Sequence, residues 1–274
     1  MIDDVVEDVV FKPVRTGVTD LGSRAAGFLE WIAELSYLLA SFCKHLAHRW
    51  DRRDFTLFAA QMTEIGLRSI GVALITSAFT GMAVALQLSY GLARFGAKTY
   101  VGTIVAFALV RELSPVLTSL LVGGRVGSGI AAELGSMAVT EQIDAMRALG
   151  ADPIRRLVLP RVLSCMIVFP ILTTISDLVG ILGGMVVTYL ESGVGTRFFI
   201  EAVTRSLKVQ DVASGVAKTV FFGACVGLIA CHSGINTRGG TVGLGNAVKK
   251  TVVSALVVIL VLDFLLSKIF LLVL

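Results

Sequence analysis

Charged residues are scarce in this sequence. Only 16% of its 274 residues are Asp, Glu, Lys or Arg, while 55% are hydrophobic, and the mean hydropathy is +0.84. A water-soluble domain of this length would carry about 25% charged residues to cover its surface. The deficit excludes an ordinary soluble protein and indicates that much of the surface faces lipid.

Patterns typical of nucleic-acid binding, metal binding and disulfide frameworks are also missing. The net charge is only +4, aromatic residues make up 8% of the chain, and no basic block alternates with aromatics, so no nucleic acid partner is expected. The cysteines form no CxxC pair, and the histidines are scattered. We therefore predict no metal site, no catalytic residue and no enzymatic activity. The residues concerned are Cys43, Cys165, Cys225, Cys231, His45, His48 and His232.

A P-loop for nucleotide binding is absent as well. Such a loop reads GxxxxGK[ST] between a strand and a helix. The nearest match, GLARFGAKT at residues 91–99, has an extra residue before Lys98 and follows a long apolar run. We expect no cofactor in this chain.

What the sequence does contain is a series of long apolar segments. A helix needs about 20 apolar residues to cross the hydrocarbon core of a bilayer, and the uncharged run from Ser69 to Ala93 alone has 25. We predict an all-α integral membrane protein with five transmembrane helices. These cover about 65–93, 99–130, 162–190, 212–233 and 251–274.

The segment before the first span has a different pattern. Residues 25–43 are apolar but carry Glu30 and Glu34 on one helical face, which is typical of an amphipathic helix lying in the headgroup layer. A sixth span is the alternative. We divide the chain into a cytoplasmic or interfacial segment, 1–56, and a membrane domain, 57–274. The acidic first ten residues do not resemble a cleaved signal peptide.

The connections differ in positive charge. One side of the membrane would receive the segment before the first span, the connection between spans two and three, and the connection between spans four and five, which together carry fifteen Lys and Arg residues. The other connections carry six, including Lys218. Because positive loops favour the cytoplasm, we expect a cytoplasmic amino terminus and a periplasmic carboxyl terminus. A short external helix is predicted between spans three and four.

Ionisable residues within the spans are candidate functional groups. Burying them in a membrane costs at least about 2.5 kcal/mol each, so they face protein or water. Arg111, Glu112 and Asp263 could form a polar joint or gate at a subunit interface, or Arg111 could simply be neutralised by Asp263 or Asp177. Pro115 should kink the helix beside the charges.

Two further sets of residues within the spans are explained by structural roles alone. For Asp177, local satisfaction by Thr173, Thr174 and Ser176 is favoured. Gly123 with Gly127, Gly180 with Gly184, and Gly223 with Gly227 have the spacing of close helix packing.

The segment from Glu133 to Arg161 carries the strongest local signals. Thr140 is predicted as an N-cap, and Gly150 as the end of a short helix. Acidic Glu141 and Asp144 would lie in its first turn, with Arg147 later. Ile143, Met146 and Leu149 form an apolar ridge. Such a helix is suited to transmit the motion of a cytoplasmic partner to the spans. The alternative is a plain amphipathic connector between two spans.

The sequence here closely resembles the MlaE-type permeases. The resemblance is carried by RELSPVLTSLLVGGRVGSGIAAELGSMAVTEQIDAMRALGADP (111–153), LVLPR (157–161), GMAVALQL (81–88) and LDFLL (262–266). It implies a permease subunit of an ABC transporter in the bacterial inner membrane, which moves phospholipids. The implied partners are a second copy, two ABC ATPase subunits that bind ATP and Mg, and a periplasmic MCE-domain protein.

The resemblance also implies residue roles. A coupling helix would match Thr140 to Leu149, and the family's RELGP element would match Arg111 to Pro115, with Ser114 in place of Gly. Ala138 stands where a basic residue is common, which puts one contact with the ATPase in doubt. A lipid pocket between two subunits would include Leu86, Gln87, Tyr90 and Phe264, although Tyr90 could also be an ordinary interfacial anchor. The ATPase contacts would include Thr140, Glu141, Gln142, Asp144, Met146 and Arg147.

Three alternatives remain open. DAMRALGADP at 144–153 also resembles the loop of importer-type ABC permeases for small solutes, although Leu159 and Pro160 come too early for it. An ion-coupled carrier would use Arg111, Glu112 and Asp263, but its expected inverted repeats are not found. The third is a membrane anchor for an enzyme complex.

Overall fold

The structure is a computed structural model that describes residues 12–46 and 52–273, and these residues form helices without a strand. The helices are α1 (Lys12–Leu46), α2 (Arg52–Ala93), α3 (Val101–Ala108), α4 (Ser114–Val139), α5 (Gln142–Ala148), α6 (Leu159–Ser192), α7 (Thr196–Ser206), α8 (Val209–Ile235) and α9 (Gly240–Val273). A 3₁₀ turn, Lys98–Tyr100, precedes α3, and π-helical turns, Leu109–Leu113 and Ile154–Val158, precede α4 and α6.

Five spans are confirmed. Within the described residues, the helices long and apolar enough to cross a membrane are Asp54–Ala93, Lys98–Val139, Ile154–Ser192, Val209–Ile235 and Gly240–Leu272. They are longer than predicted because each helix continues into polar sequence beyond its apolar core. The amphipathic helix α1 is not among them, and its interfacial position stays a prediction. The two ends of the bundle are called here the α5 end and the α7 end.

The order of packing differs from the order in sequence. Helix α2 packs along α6, α6 packs on α8, and α8 contacts both α4 and α9, which also contact each other. Helices α2 and α9 therefore stand at opposite edges of the described bundle. Span five is the least buried of the five, with only 11% of its most apolar window buried. Much of its surface is thus available to lipid or to another protein.

Glycines allow the closest helix contacts. A Cβ atom at Gly223 of α8 would lie 2.5 Å from the carbonyl oxygen of Cys165 in α6. Likewise, a side chain at Gly81 of α2 would overlap the carbonyl of Gly180 in α6. The prediction that Gly180 and Gly223 serve helix packing is confirmed.

Helix α1 lies against the α5 end of the bundle. Its Leu38 and Phe42 are buried in the main apolar core. Two polar contacts fix it there, Glu34 Oε2 to His232 Nε2 at 2.7 Å and His45 Nε2 to Asp152 Oδ2 at 2.8 Å. One face of α1 is thus joined to both α8 and the segment after α5.

Candidate functional site

A cluster of charges is centred on Lys218, toward the α7 end. The side chain of Lys218 is only 1% exposed. Its Nζ lies 2.9 Å from Glu112 Oε2 and 3.3 Å from Asp263 Oδ1. It also donates to Ser267 Oγ at 2.6 Å and to the carbonyl of Arg111 at 3.2 Å. One ammonium group thereby joins α8 to α9 and to the turn before α4.

The backbone of span two is irregular where it meets Lys218. Leu109–Leu113 form a π-helical turn, and Pro115 follows within the first turn of α4. Pro115 has no N–H to donate to the carbonyl of Arg111, so that oxygen is free to accept from Lys218. Gly215 of α8 approaches so closely that a Cβ would overlap the carbonyl of Val110. The kink predicted at Pro115 stays a prediction, while the structure shows a π turn just before it, a feature that often marks functional sites.

Arg111 belongs to a separate contact. Its guanidinium lies 3.6 Å from Asp211 Oδ1 and 5.2 Å from the centre of the Phe107 ring. The expected alternative of neutralising Arg111 by Asp263 or Asp177 is therefore wrong. Successive residues on a helix diverge, which is why Arg111 and Glu112 reach different partners on α8.

Asp177 does not form the hydrogen bonds that the sequence suggests. The three hydroxyls that precede it in sequence do not partner it. Thr174 donates to the carbonyl of Pro170, and the hydroxyl oxygens of Thr173 and Ser176 have no hydrogen-bond partner among the described residues. The Oδ1 atom of Asp177 also lacks a partner within the described chain. Local satisfaction by its neighbours is therefore wrong.

Sequence reasoning missed Lys218 and Asp211. Lys218 was counted with the charges of an external connection, which is wrong because α8 begins at Val209 and carries Lys218 inside the bundle. Its position within the predicted span 212–233 was the signal that could have identified it. Asp211 lies in the first turn of α8, where it accepts a hydrogen bond from the backbone of Lys208.

The cluster is not fully enclosed by this chain. The side chain of Glu112 is 42% exposed, and that of Asp263 is 19% exposed. A buried charge needs a partner, because removing that partner destabilises the folded protein by roughly 3–5 kcal/mol. The open side of the cluster therefore faces outward from the bundle, where a second protein surface or water can approach the carboxylates.

The residues predicted to bind lipid occupy both edges of the bundle. Leu86, Gln87 and Tyr90 lie exposed on α2, and Tyr90 donates to Glu191 at 3.4 Å. Phe264 is 69% exposed on α9. Because α2 and α9 do not pack together within the described chain, one copy does not close a pocket around these four residues. Their role stays a prediction.

The predicted coupling helix exists but begins differently. Thr140 is not its N-cap, because Thr140 Oγ1 donates to the carbonyl of Ser136 at 2.8 Å and so belongs to the end of α4. Glu141 separates the two helices with a left-handed backbone, φ 59°. Gln142 Nε2 donates to Thr140 Oγ1 at 3.0 Å. Gly150, φ 76°, ends the short helical segment as predicted.

Helix α5 has an inner apolar face and an outer polar face. Ile143 is buried, and Met146 packs against the main core. Leu149, however, is 85% exposed, so the expected ridge of three apolar residues is wrong at its last member. On the outer face, Arg147 Nη1 donates to Asp144 Oδ1 at 2.7 Å. Glu141 and Gln142 are exposed beside them.

Ion pairs connect the segment after α5 to the rest of the α5 end. Asp152 contacts His45 of α1, and Arg155 Nη2 lies 2.8 Å from Asp54 Oδ2 of α2. Arg161, whose side chain is 5% exposed, contacts Glu133 of α4 at 2.7 Å. The segment after α5 is thus joined to α1, α2 and α4.

The chain is similar to known permeases. Its residues 58–269 match the family model described as Permease MlaE. A probable ABC transporter permease protein of Synechocystis is 38% identical over 254 residues, 91% of this chain and 95% of the relative. One from Rickettsia conorii is 38% identical over 250 residues, 91% and 96% of the two chains. The Arabidopsis thaliana protein TRIGALACTOSYLDIACYLGLYCEROL 1, chloroplastic, is 40% identical over 210 residues, 77% of this chain and 60% of that protein.

Proposed function

The chain belongs to the MlaE permease family, and on that premise we propose that it is the membrane subunit of an ABC transporter that moves phospholipids. The observation that carries the proposal is the exposed polar face of α5, a short helix held between two spans by its buried Ile143. A permease driven by another subunit's ATP hydrolysis needs such a contact. ATP and Mg would bind to that partner ATPase.

Two copies of the chain would form the transport unit. Exposed apolar side chains occupy both edges of the bundle, with Leu86 and Tyr90 on α2 and Phe264 on α9. A twofold arrangement would bring α2 and α9 of different copies toward a shared space lined by Leu86, Gln87, Tyr90 and Phe264. Acyl chains suit such a lining, since it offers apolar surface with few polar groups.

The charge cluster would lie beside this shared space. Glu112 and Asp263 face outward from the bundle while Lys218 neutralises them from within. A change in the gap between the two copies would change how much water and protein meet the carboxylates. We assign Arg111, Glu112 and Asp263 to a polar gate that responds to this gap.

The driving motion would enter at the α5 end. ATP-dependent closure of two ATPase subunits would move Thr140, Glu141, Gln142, Asp144, Met146 and Arg147. Energy would enter through different affinities of the ATPase states for the two permease conformations. The α7 end would face the periplasm of a bacterial inner membrane, since basic residues favour the cytoplasmic side, and an MCE-domain protein would exchange the lipid there.

Co-purification tests this assembly. A tagged chain is extracted in gentle detergent, and proteins and lipids are identified by mass spectrometry for the wild type, for Glu141→Lys and for the matched control Glu201→Lys at the α7 end. We expect an ATPase, an MCE protein and phospholipid with the wild type, retention of the ATPase with the control, and loss of the ATPase with Glu141→Lys. A wild-type chain that purifies alone would contradict the proposal.

One observation favours a second candidate function. A buried lysine between two carboxylates within the membrane is also typical of an ion-coupled carrier. Such a carrier would move ions in liposomes without any ATPase subunit, and Lys218→Met would abolish that flux. Flux from the purified chain alone would replace the ABC proposal with this one.

A further inference from the structure

A polar cleft lies between α2 and α4, on the α5 side of the bundle. Its volume is about 280 Å³. Two arginines, Arg68 of α2 and Arg125 of α4, line it together with Glu64, Glu133 and Gln61. It is separate from the charge cluster around Lys218, which lies toward the other end of the same helices.

One of the two arginines has no counterion. Glu64 accepts from Arg68 at 2.7 Å, and Glu133 lies 2.7 Å from Arg161. Both carboxylates of the cleft are therefore already neutralised. The exposed guanidinium of Arg125 forms no hydrogen bond or ion pair with any residue that the structure describes, which leaves one surplus positive charge in the cleft.

The length of the helices places this charge at a definite depth. Arg68 lies 25 residues before Ala93, and Arg125 lies 27 residues after Lys98. At about 1.5 Å per residue, the two arginines are roughly 37 and 40 Å from the α7 end. A bilayer is about 30 Å thick in its hydrocarbon core and about 40–45 Å with its headgroups. With the α7 end in one headgroup layer, both guanidiniums would lie in the headgroup layer at the α5 end.

We propose that Arg125, assisted by Arg68, binds the phosphate group of a phospholipid headgroup in this cleft. Phosphate is the common anion of the headgroup layer, and the planar fork of a guanidinium binds two phosphate oxygens at once. Arg68 retains exposed donors beside its bond to Glu64, since its side chain is 70% exposed. Arg125 supplies the charge, and Arg68 supplies further hydrogen bonds.

The site is independent of the transport cycle. It requires only that the chain spans a bilayer, so it could hold even if the ATP-driven function proposed above were wrong. A free phosphate ion has the same chemistry as the headgroup and is the second possible source of the anion. A carboxylate from a second copy would be a different neutralising group.

Native mass spectrometry of the complex, titrated with dioleoylphosphatidylglycerol in detergent, tests the site. Variants Arg125→Gln and Arg125→Lys are compared with the wild type and with Arg94→Gln, which removes an exposed arginine at the α7 end. Loss of a charged hydrogen-bonding group should weaken lipid binding about tenfold in Arg125→Gln. Arg125→Lys keeps the charge but loses the two-pronged contact, so its binding should fall between that of Arg125→Gln and the wild type. Arg94→Gln should bind as the wild type does.

Competition with inorganic phosphate separates the two sources of the anion. If the headgroup is the ligand, lipid binding depends on Arg125, and excess phosphate weakens it in the wild type but not in Arg125→Gln. If phosphate binds the wild type but not Arg125→Gln, while lipid binding is the same in both, the ligand is the free ion. Equal lipid binding by the wild type and Arg125→Gln would overturn the site, and so would dissociation of a dimer into single copies in Arg125→Gln.

Discussion

At the scale of single residues, Lys218 determines how three helices meet. Its ammonium is almost completely buried and contacts Glu112, Asp263 and Ser267. Membrane helices gain little from the hydrophobic effect once they are in lipid, so specific polar contacts and close packing decide which helices associate. A buried cation with two carboxylate partners is a contact of this kind.

Replacing Lys218 alone should destabilise the chain. Lys218→Met leaves Glu112 and Asp263 close together without a cation, and breaking a buried ion pair from one side costs about 3–5 kcal/mol. The triple variant Lys218→Met, Glu112→Gln, Asp263→Asn removes all three charges and should recover most of that loss. Thermal unfolding in detergent measures both, and equal destabilisation of the single and triple variants would contradict the role of the charges.

A glycine substitution should separate two helices. Gly223→Ala places a Cβ 2.5 Å from the carbonyl oxygen of Cys165, and such overpacking costs about 1–3 kcal/mol. Gly71→Ala on α2 is the matched control, because a Cβ there meets nothing within 4 Å. We expect a lower unfolding temperature for Gly223→Ala only. If Gly71→Ala lowers the unfolding temperature as much as Gly223→Ala does, the close contact between α6 and α8 is not the cause of the loss.

At the scale of elements, α5 presents one face to the bundle and one to solvent. Ile143 is 2% exposed, whereas Leu149 is 85% exposed. The bonds of Asp152, Arg155 and Arg161 hold the segment that follows. A partner that binds the exposed face would thus lie beside a segment that is bonded to α1, α2 and α4.

Leu149 should contribute to partner binding without contributing to folding. Leu149→Asp adds a charge to a side chain that the bundle does not bury, so the unfolding temperature should stay as in the wild type. Binding of the ATPase should weaken about tenfold if Leu149 enters an apolar part of the interface. Phe198→Asp on the exposed surface of α7 is the control. Unchanged ATPase binding in Leu149→Asp would exclude Leu149 from the interface.

The sequence was sufficient to predict the elements but not their contacts. Long uncharged runs identified five spans because hydrophobic length alone decides whether a helix crosses a bilayer. The start of α5 was mispredicted because a threonine hydroxyl can cap the next helix or bond back to the preceding turn, as Thr140 does. The spacing of residues does not reveal which of these two hydrogen bonds forms. The choice depends on the left-handed backbone of Glu141 between the two helices, which the sequence does not indicate.

At the scale of the whole molecule, the partners of intramembrane charges depend on helix order. Arg111 pairs with Asp211, and Glu112 and Asp263 share Lys218, because α8 contacts both α4 and α9. Packing order is a property of the folded bundle, so counting charges along the chain assigned Lys218 to a connection. The same order leaves α2 and α9 at opposite edges, where the assembly proposed above would need a second copy.

Cross-linking should detect that second copy. In a chain whose native cysteines are replaced, Gln87→Cys and Phe264→Cys together should give a cross-linked dimer with a short bifunctional maleimide. Either substitution alone should give less, since one partner side chain is missing. The control pair Gln87→Cys and Phe221→Cys joins α2 to an exposed site on α8. Equal dimer yields from both pairs would contradict a shared space between α2 and α9.

The most direct test of the central claim is lipid transfer by the reconstituted complex. Proteoliposomes carry the chain, its ATPase and a fluorescent phospholipid, and transfer to the MCE protein is followed with and without ATP. We expect transfer only with ATP, and none with Glu141→Lys. Ion flux from the chain alone, with no ATP-dependent transfer of lipid, would contradict the assignment as a lipid permease.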